Sequence, residues 1–171
     1  MSRTVQTSLF ASLAAILVLT GTGALGIRAN GAAHQVPQDT RITLERTICY
    51  GTCPSYKVII SADGSVLFEG RRFVKKVGTV QSKISQEIIR ELIGRFEEIN
   101  YFSLRNRYED TGDGCEGAVS DGPTAITSIR INGKTKSVRH YYGCLGIDVL
   151  ADLTRLEQAI DDAANTAQWI R

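Results

Sequence analysis

The stretch Cys49-Tyr50-Gly51-Thr52-Cys53-Pro54-Ser55-Tyr56 places two cysteines, a turn-forming glycine and a stiff proline between two strand-like segments. Residues 41–48 alternate apolar and polar side chains, which is typical of a half-buried strand. Residues 56–61 are rich in aromatic and β-branched side chains, which favour a second strand. The sequence therefore predicts a disulfide-closed corner at the start of a small domain built on an antiparallel sheet.

The chain contains four cysteines, which allow three disulfide connectivities: Cys49, Cys53, Cys115 and Cys144. The pairing Cys49–Cys53 with Cys115–Cys144 is favoured, because the first two are close in sequence and Gly51 between them permits a tight reversal. Two other uses of the cysteines stay open. Cys49 and Cys53 are candidates for thiol redox chemistry, although no helix pattern follows them to lower a thiol pKa. A metal site that combines cysteines with His140 is the other alternative.

The remaining segments predict further strands and two amphipathic helices. Asp63-Gly64 indicates a two-residue turn between strands at 56–61 and 65–69, and residues 74–84 predict a weaker fourth strand. Asn132-Gly133 predicts a type I′ hairpin between strands at 124–131 and 134–142. The first helix begins after Ser85, its expected N-cap, and the second lies near the end of the chain. Their apolar stripes are Ile88, Leu92, Phe96 and Ile99, widened by Ile89 and Ile93, and Val149, Leu153, Leu156 and Ile160.

The predicted fold class is therefore α+β. The element order is β-β-β-(β)-α-β-β-α, with an antiparallel sheet and two helices packed on one face.

The amino terminus has the pattern of a secretory signal peptide. Arg3 precedes an apolar run from Leu9 to Leu19, and small residues follow it. Residues 1–33 are thus expected to be a cleaved signal peptide or an uncleaved membrane anchor, with residues 8–27 as the span. Residues 34–40 read as a linker, and residues 41–171 as a single exported domain, periplasmic or secreted.

Charge excludes some classes of partner. Outside residues 1–33 the chain carries equal numbers of basic and acidic residues, and such a neutral domain is a poor nucleic-acid binder. A local basic cluster indicates a solvated strand edge: Arg71, Arg72, Lys75 and Lys76. The membrane is expected as a partner only through residues 8–27, if they are retained.

The segment 109–123 is rich in glycine and acidic residues and is the expected wall of any binding site. Its spacing does not match an EF-hand, so a solvated loop held by Cys115 is favoured over a calcium site. The hairpin register places Ile129, Val138 and His140 on one face, which predicts a buried, hydrogen-bonded histidine. The candidate binding residues are Asp113, Glu116, Asp121, His140, Tyr141 and Tyr142.

Several motifs together resemble an uncharacterised bacterial family of exported domains, domain-of-unknown-function family 6438. The resemblance begins with Cys49-x-Gly51-x-Cys53-Pro54-x-Tyr56, Asp63-Gly64 and Phe68-Glu69-Gly70. It continues through residues 127–136, His140-Tyr141-Tyr142-Gly143-Cys144 and Gln168-Trp169-Ile170, and covers about residues 41–171. It implies a single exported domain and no known activity, cofactor or catalytic residue.

The function favoured by the sequence is a non-enzymatic, extracytoplasmic binding or interaction module of the cell envelope. No catalytic set, phosphate-binding loop, metal cluster or cofactor motif stands out, so the expected partner is an unknown envelope protein or a small ligand. The alternatives are a hydrolase that uses His140 with Asp113, Glu116 or Asp121, and a thiol-redox or metal protein that uses Cys49 and Cys53.

Overall fold

Nine strands and three helices make up the computed structural model, which describes residues 35–171. The predicted signal peptide or anchor at residues 1–33 lies outside these described residues. The strands are β1 (Arg41–Arg46), β2 (Ser55–Ser61), β3 (Ser65–Arg72), β4 (Gly78–Lys83), β5 (Arg107–Tyr108), β6 (Gly117–Ala118), β7 (Thr124–Ile131), β8 (Lys134–Tyr141) and β9 (Cys144–Leu145). The helices are α1 (Gln86–Glu98), α2 (Val149–Ala164) and α3 (Ala167–Ile170).

Seven strands form one sheet in the order β4-β3-β2-β1-β7-β8-β5. All neighbouring strands are antiparallel except β5, which pairs with β8 in parallel. Strands β6 and β9 form a separate two-stranded ribbon. The first strand of the domain therefore lies in the middle of the large sheet, between β2 and β7.

The hydrophobic core lies between one face of the sheet and the helices. Alternate side chains of β1, such as Ile42 and Leu44, are fully buried, and those of β2 and β7 continue the same apolar face. Helix α1 contributes Ile89, Leu92 and Phe96, and helix α2 contributes a parallel stripe. The predicted α+β class, with its antiparallel sheet and helices on one face, is confirmed.

The two predicted hairpin turns differ in length. Asn132 and Gly133 both have positive φ and connect Ile131 directly to its pair Lys134, which is the expected two-residue turn. The Asp63-Gly64 turn is longer than predicted. Residues 62–64 separate the strands, and Gly64 takes a left-handed φ of 84° after a turn closed by its N–H donating to the Ser61 carbonyl. A type I turn followed by a left-handed glycine is the usual three-residue hairpin.

Three other segments depart from the predicted boundaries. Strand β4 begins at Gly78 rather than at residue 74, because Phe73 has a φ of 54° and residues 73–77 form the turn out of β3. In α1 the fully buried position is Ile89, whereas Ile88 is only half-buried at the edge of the stripe. The acidic segment 109–123 is flanked by β5 and contains β6, so part of it is held by strand pairing.

Both predicted disulfides are present. The corner disulfide joins Cys49 to Cys53, and the loop disulfide joins Cys115 to Cys144 across the ribbon of β6 and β9. Such cross-links are typical of an oxidising compartment.

Part of the predicted linker packs against the domain. Val36 is buried in the core, and the Asp39 carboxylate accepts hydrogen bonds from the Asn132 and Gly133 N–H groups at 2.9 and 2.7 Å. Because the Gly133 N–H donates to it, the pKa of Asp39 lies below its usual value. Within residues 35–171, no helix is both long and apolar enough to cross a membrane.

Candidate functional site

Within residues 35–171, none of the acids predicted to partner His140 forms a hydrogen bond or an ion pair with it. Asp113 is buried, and its carboxylate accepts hydrogen bonds from the Arg107 Nε at 2.8 Å and the Glu109 N–H at 3.2 Å. The charge and hydrogen bond of Asp113 raise the pKa of Arg107, so this pair fixes the loop to β5. Glu116 and Asp121 are exposed at the surface.

The Tyr141 side chain has a structural role, because its hydroxyl is hydrogen-bonded to the backbone of the 109–123 segment. Its hydroxyl donates to the Val119 carbonyl at 2.7 Å and accepts from the Gly122 N–H at 3.1 Å. Of the candidate binding residues, the structure therefore joins only His140 and Tyr142 to each other.

His140 lies on the core face of β8, with only 3% of its surface exposed. Its Nδ1 atom is 2.9 Å from Oε1 of Glu157, a fully buried carboxylate on α2. The Tyr142 ring stacks on the imidazole with centroids 4.6 Å apart, and its hydroxyl donates to the other Glu157 oxygen. The histidine is buried and hydrogen-bonded, as its register predicts, but its carboxylate partner is Glu157 of α2 and not an acid of the 109–123 segment.

The hydrogen bonds continue from Tyr142 to a second carboxylate. Arg46, at the end of β1, donates from Nη1 to the Tyr142 hydroxyl at 2.8 Å and from Nε to Asp161 Oδ2 at 2.9 Å. The other Asp161 oxygen accepts from the hydroxyls of Tyr56 and Thr166 at 2.7 and 2.8 Å. We call this set the buried network: Arg46, Tyr56, His140, Tyr142, Glu157, Asp161 and Thr166.

Electrostatics fix the protonation of three members of this network. Burial alone would lower the pKa of the Arg46 guanidinium, but the Asp161 carboxylate together with the Tyr56 and Tyr142 hydroxyls outweighs it, and the pKa is raised. Burial, reinforced by the negative charge of Glu157, raises the pKa of Tyr142 to about 12. Burial and the Asp161 charge likewise raise the pKa of Tyr56. At neutral pH the arginine is therefore charged and both phenols keep their protons.

A cleft of about 580 Å³ opens over the Arg46 side of the buried network, and we call it the corner cleft. Arg46, Tyr56 and Tyr142 line it together with Asp161, while His140 and Glu157 do not. Its walls come from the cysteine corner, the start of β7 and the last turns of the chain: Cys53, Pro54, Pro123, Gln158, Asn165 and Ile170. The volume of the cleft and its mostly apolar lining surface, into which several polar side chains project, are those of a small-ligand or side-chain pocket.

Two observations bear on the alternative chemistries. The His140–Glu157 pair is buried between β8 and α2, with side chains that are 4% and 0% exposed. Cys49 and Cys53 are bonded to each other, so neither sulfur is free as a thiolate ligand or nucleophile. Within residues 35–171, no group of three or more His, Cys, Asp and Glu side chains is placed to hold a metal ion.

Sequence reasoning missed Arg46, Glu157 and Asp161 as members of the site. Each sits on a face that periodicity marks as buried. Arg46 follows Ile42 and Leu44 on the core side of β1, and Glu157 lies one turn after Leu153 within the apolar stripe of α2. A charged residue at an expected core position is the signal that indicates a buried ion pair.

Comparison with known proteins adds a family but no named relative. The search of curated proteins found no match to this chain. The family model for the domain of unknown function DUF6438 matches residues 40–164, which include both disulfides and the charged members of the buried network. The chain therefore belongs to the DUF6438 family.

Proposed function

We propose that this domain is a non-enzymatic binding module of the cell envelope and that the corner cleft is its ligand site. The observation that carries the proposal is the contrast between the two ends of the buried network. The cleft exposes Arg46 and Tyr142 to solvent, whereas the only histidine of the network is sealed beneath them. Binding needs an open pocket with a few fixed polar groups, and catalysis by His140 would need the opposite arrangement.

The polar floor of the cleft is preorganised. Arg46 is held by Asp161 and Tyr142, and Tyr142 is held in turn by Glu157, so these side chains have lost their rotamer freedom before any ligand arrives. The corner disulfide fixes Cys53 and Pro54 on one wall. A site whose parts are already ordered binds with a smaller entropic cost. The ligand we expect is a small molecule or a side chain of an envelope protein.

The location outside the cytosol rests on two features of the chain. The pattern of residues 1–33 is typical of an export signal or an anchor. The two disulfides are of the kind that persist in oxidising compartments.

A photoreactive residue in the cleft tests the proposal. Gln158 lines the cleft from α2 and is exposed, so a benzophenone amino acid at this position would react with whatever occupies the site. Glu91, exposed on α1 outside the cleft, is the matched control. After irradiation of intact cells, mass spectrometry should find an adduct with one recurring small molecule or protein at position 158 and not at 91.

A second variant checks that the adduct reports on binding. Thr154→Trp introduces a large side chain into the same wall from an exposed helix position and should reduce the adduct at position 158. Identical adducts at positions 158 and 91, or none at 158 in folded protein, would overturn the proposal.

A further inference from the structure

Exposed apolar side chains gather at one end of the large sheet. This end, which we call the cysteine end, is where β1 finishes, β2 begins, and the turns after β3 and β8 lie. Six of the seven large hydrophobic side chains that are exposed among residues 35–171 belong to it: Ile48, Tyr50, Phe73, Val77, Val119 and Leu145. Tyr50 at its centre is 89% exposed. A concentration of exposed apolar side chains at one end of the sheet points to a contact surface rather than to scattered surface variation.

The cysteine end is rigid, so the exposure does not come from loose loops. The Tyr50 N–H donates to the Asp121 carbonyl at 3.2 Å, and the Val119 N–H donates to the Gly143 carbonyl at 2.9 Å. The turn after β3 is tied to α3 by the Lys76 N–H, which donates to the Trp169 carbonyl at 2.9 Å. Both disulfides also lie here. The surface is therefore held in one shape before any partner arrives.

Phe73 adds a second observation. Its φ of 54° is the left-handed conformation, which costs energy for a bulky residue, yet its ring is not buried in return. The guanidinium of Arg72 lies over the ring, 5.3 Å from its centroid, and 44% of the residue's surface stays exposed. The isolated domain does not compensate for this strained backbone by packing the ring. We therefore expect the turn to be used in an interaction.

Charge divides the cysteine end into two opposite sides. The sheet order places the β3–β4 turn on one side of the cysteine corner and the 109–123 segment on the other. The turn carries three exposed cations with no ion-pair partner among the described residues: Arg72, Lys75 and Lys76. The segment carries three exposed acids that likewise form no ion pair within residues 35–171: Asp110, Glu116 and Asp121.

We propose that the cysteine end is the contact surface of a homodimer whose two-fold axis passes near Tyr50. Rotation of a second copy by 180° sets its basic turn over the acidic segment of the first, and the reverse pairing follows by symmetry. The apolar side chains between the two charged sides then cover each other. The three acids argue against an anionic membrane as the occupant, since its headgroups would repel that half of the surface. This inference does not rest on the ligand proposed for the corner cleft, which borders the cysteine end at the cysteine corner.

Charge reversal and its compensation test the pairing. The full chain, with disulfides intact, should sediment as a dimer in mild detergent. Lys75→Glu with Lys76→Glu places like charges opposite one another and should weaken dimerisation at least about tenfold. Adding Glu116→Lys and Asp121→Lys to the same chain should restore it. The control is Lys83→Glu with Lys134→Glu, which changes the net charge equally at the opposite end of the sheet and should leave the dimer unchanged.

Four results would overturn the proposal. The first is a monomeric wild-type chain at about 100 µM, a concentration that populates even weak dimers. The second is loss of the dimer in the control variant to the same degree as in the charge-reversed variant. The third is failure of the compensating pair to restore association while circular dichroism shows a folded chain. Binding of the wild type to anionic vesicles in place of self-association would also count against it.

Discussion

Replacing Arg46 by leucine should destabilise the domain far more than replacing an ordinary surface arginine. The substitution removes the only cation among residues 35–171 that contacts Asp161. It leaves two carboxylates, on Asp161 and Glu157, whose side chains are 9% and 0% exposed. Breaking a buried ion pair by removing one partner costs about 3–5 kcal/mol. Because the Arg46 side chain keeps 20% exposure, we expect the lower end, about 3 kcal/mol.

Urea denaturation followed by circular dichroism measures this loss, with disulfides intact in every variant. The matched control is Arg71→Leu. Arg71 also leaves the sheet to meet a carboxylate, Glu45, but it is 44% exposed, and such surface pairs contribute about 0.2–1 kcal/mol. The double variant Arg46→Leu with Asp161→Asn should regain part of the stability, since it also removes the charge that was left unpaired.

The reasoning fails if Arg46→Leu costs no more than Arg71→Leu. That result would mean that water reaches Asp161 and Glu157 well enough to solvate them without the guanidinium. A double variant less stable than Arg46→Leu alone would also contradict it, because an uncompensated charge would then not be the source of the loss.

Three further outcomes are expected. Removal of the loop disulfide by alanine substitution should lower the free energy of unfolding by about 3–4 kcal/mol, and removal of the corner disulfide by about 2 kcal/mol, because the loop disulfide closes a longer loop. Thermal unfolding of the two double-alanine variants shows which loss is larger. Asp39→Ala should lower stability at neutral pH, and its difference from wild type should vanish as pH falls below 3.8 through the lowered pKa of Asp39, as acid titration of urea midpoints would show. The proton on Tyr142 contributes stability that is complete below pH 10.0 and lost as pH rises towards 12, so Tyr142→Phe should remove one late-titrating phenol from the tyrosinate absorbance curve. Loss of a phenol that titrates near pH 10.0 instead of near 12 would place the Tyr142 hydroxyl in water.

Local signals predicted the fold well. The structure contains the Asn132-Gly133 turn, the Ser85 N-cap and both disulfides. The turn and the cap depend on short-range geometry, and the disulfides on the rule that cysteines pair in an oxidising compartment. The turn at Asp63-Gly64 was predicted one residue too short. The same dipeptide serves two hairpin types, and which one forms depends on strand register rather than on the pair itself.

The site was predicted only in part, for a different reason. The period-2 pattern of β8 is enough to bury His140, but it does not say which helix lies above it. Helical periodicity shows that Glu157 faces the core. Its position over His140 depends on the distance by which α2 is offset along the sheet. That distance is set by tertiary packing. Asp113, Glu116 and Asp121 were favoured because they lie close in sequence to Cys115. In the folded chain none of them is bonded to His140, whose carboxylate partner is Glu157.

The central place of β1 in the sheet has a consequence for how the domain assembles. One neighbour, β2, is available within a short hairpin, but the other is β7, and Thr43 meets Ser128 across 85 residues. Closing so long a loop carries a large entropic cost before any contact repays it, so we expect slow folding limited by the docking of β7. A fragment that stops before residue 124 would lack β7. The edge of β1 that pairs with β7 would then expose unpaired backbone N–H and C=O groups. Such a fragment is expected to aggregate. In the full chain, the side of β1 that pairs with β7 should be the last part of the sheet to gain protection from amide exchange during folding.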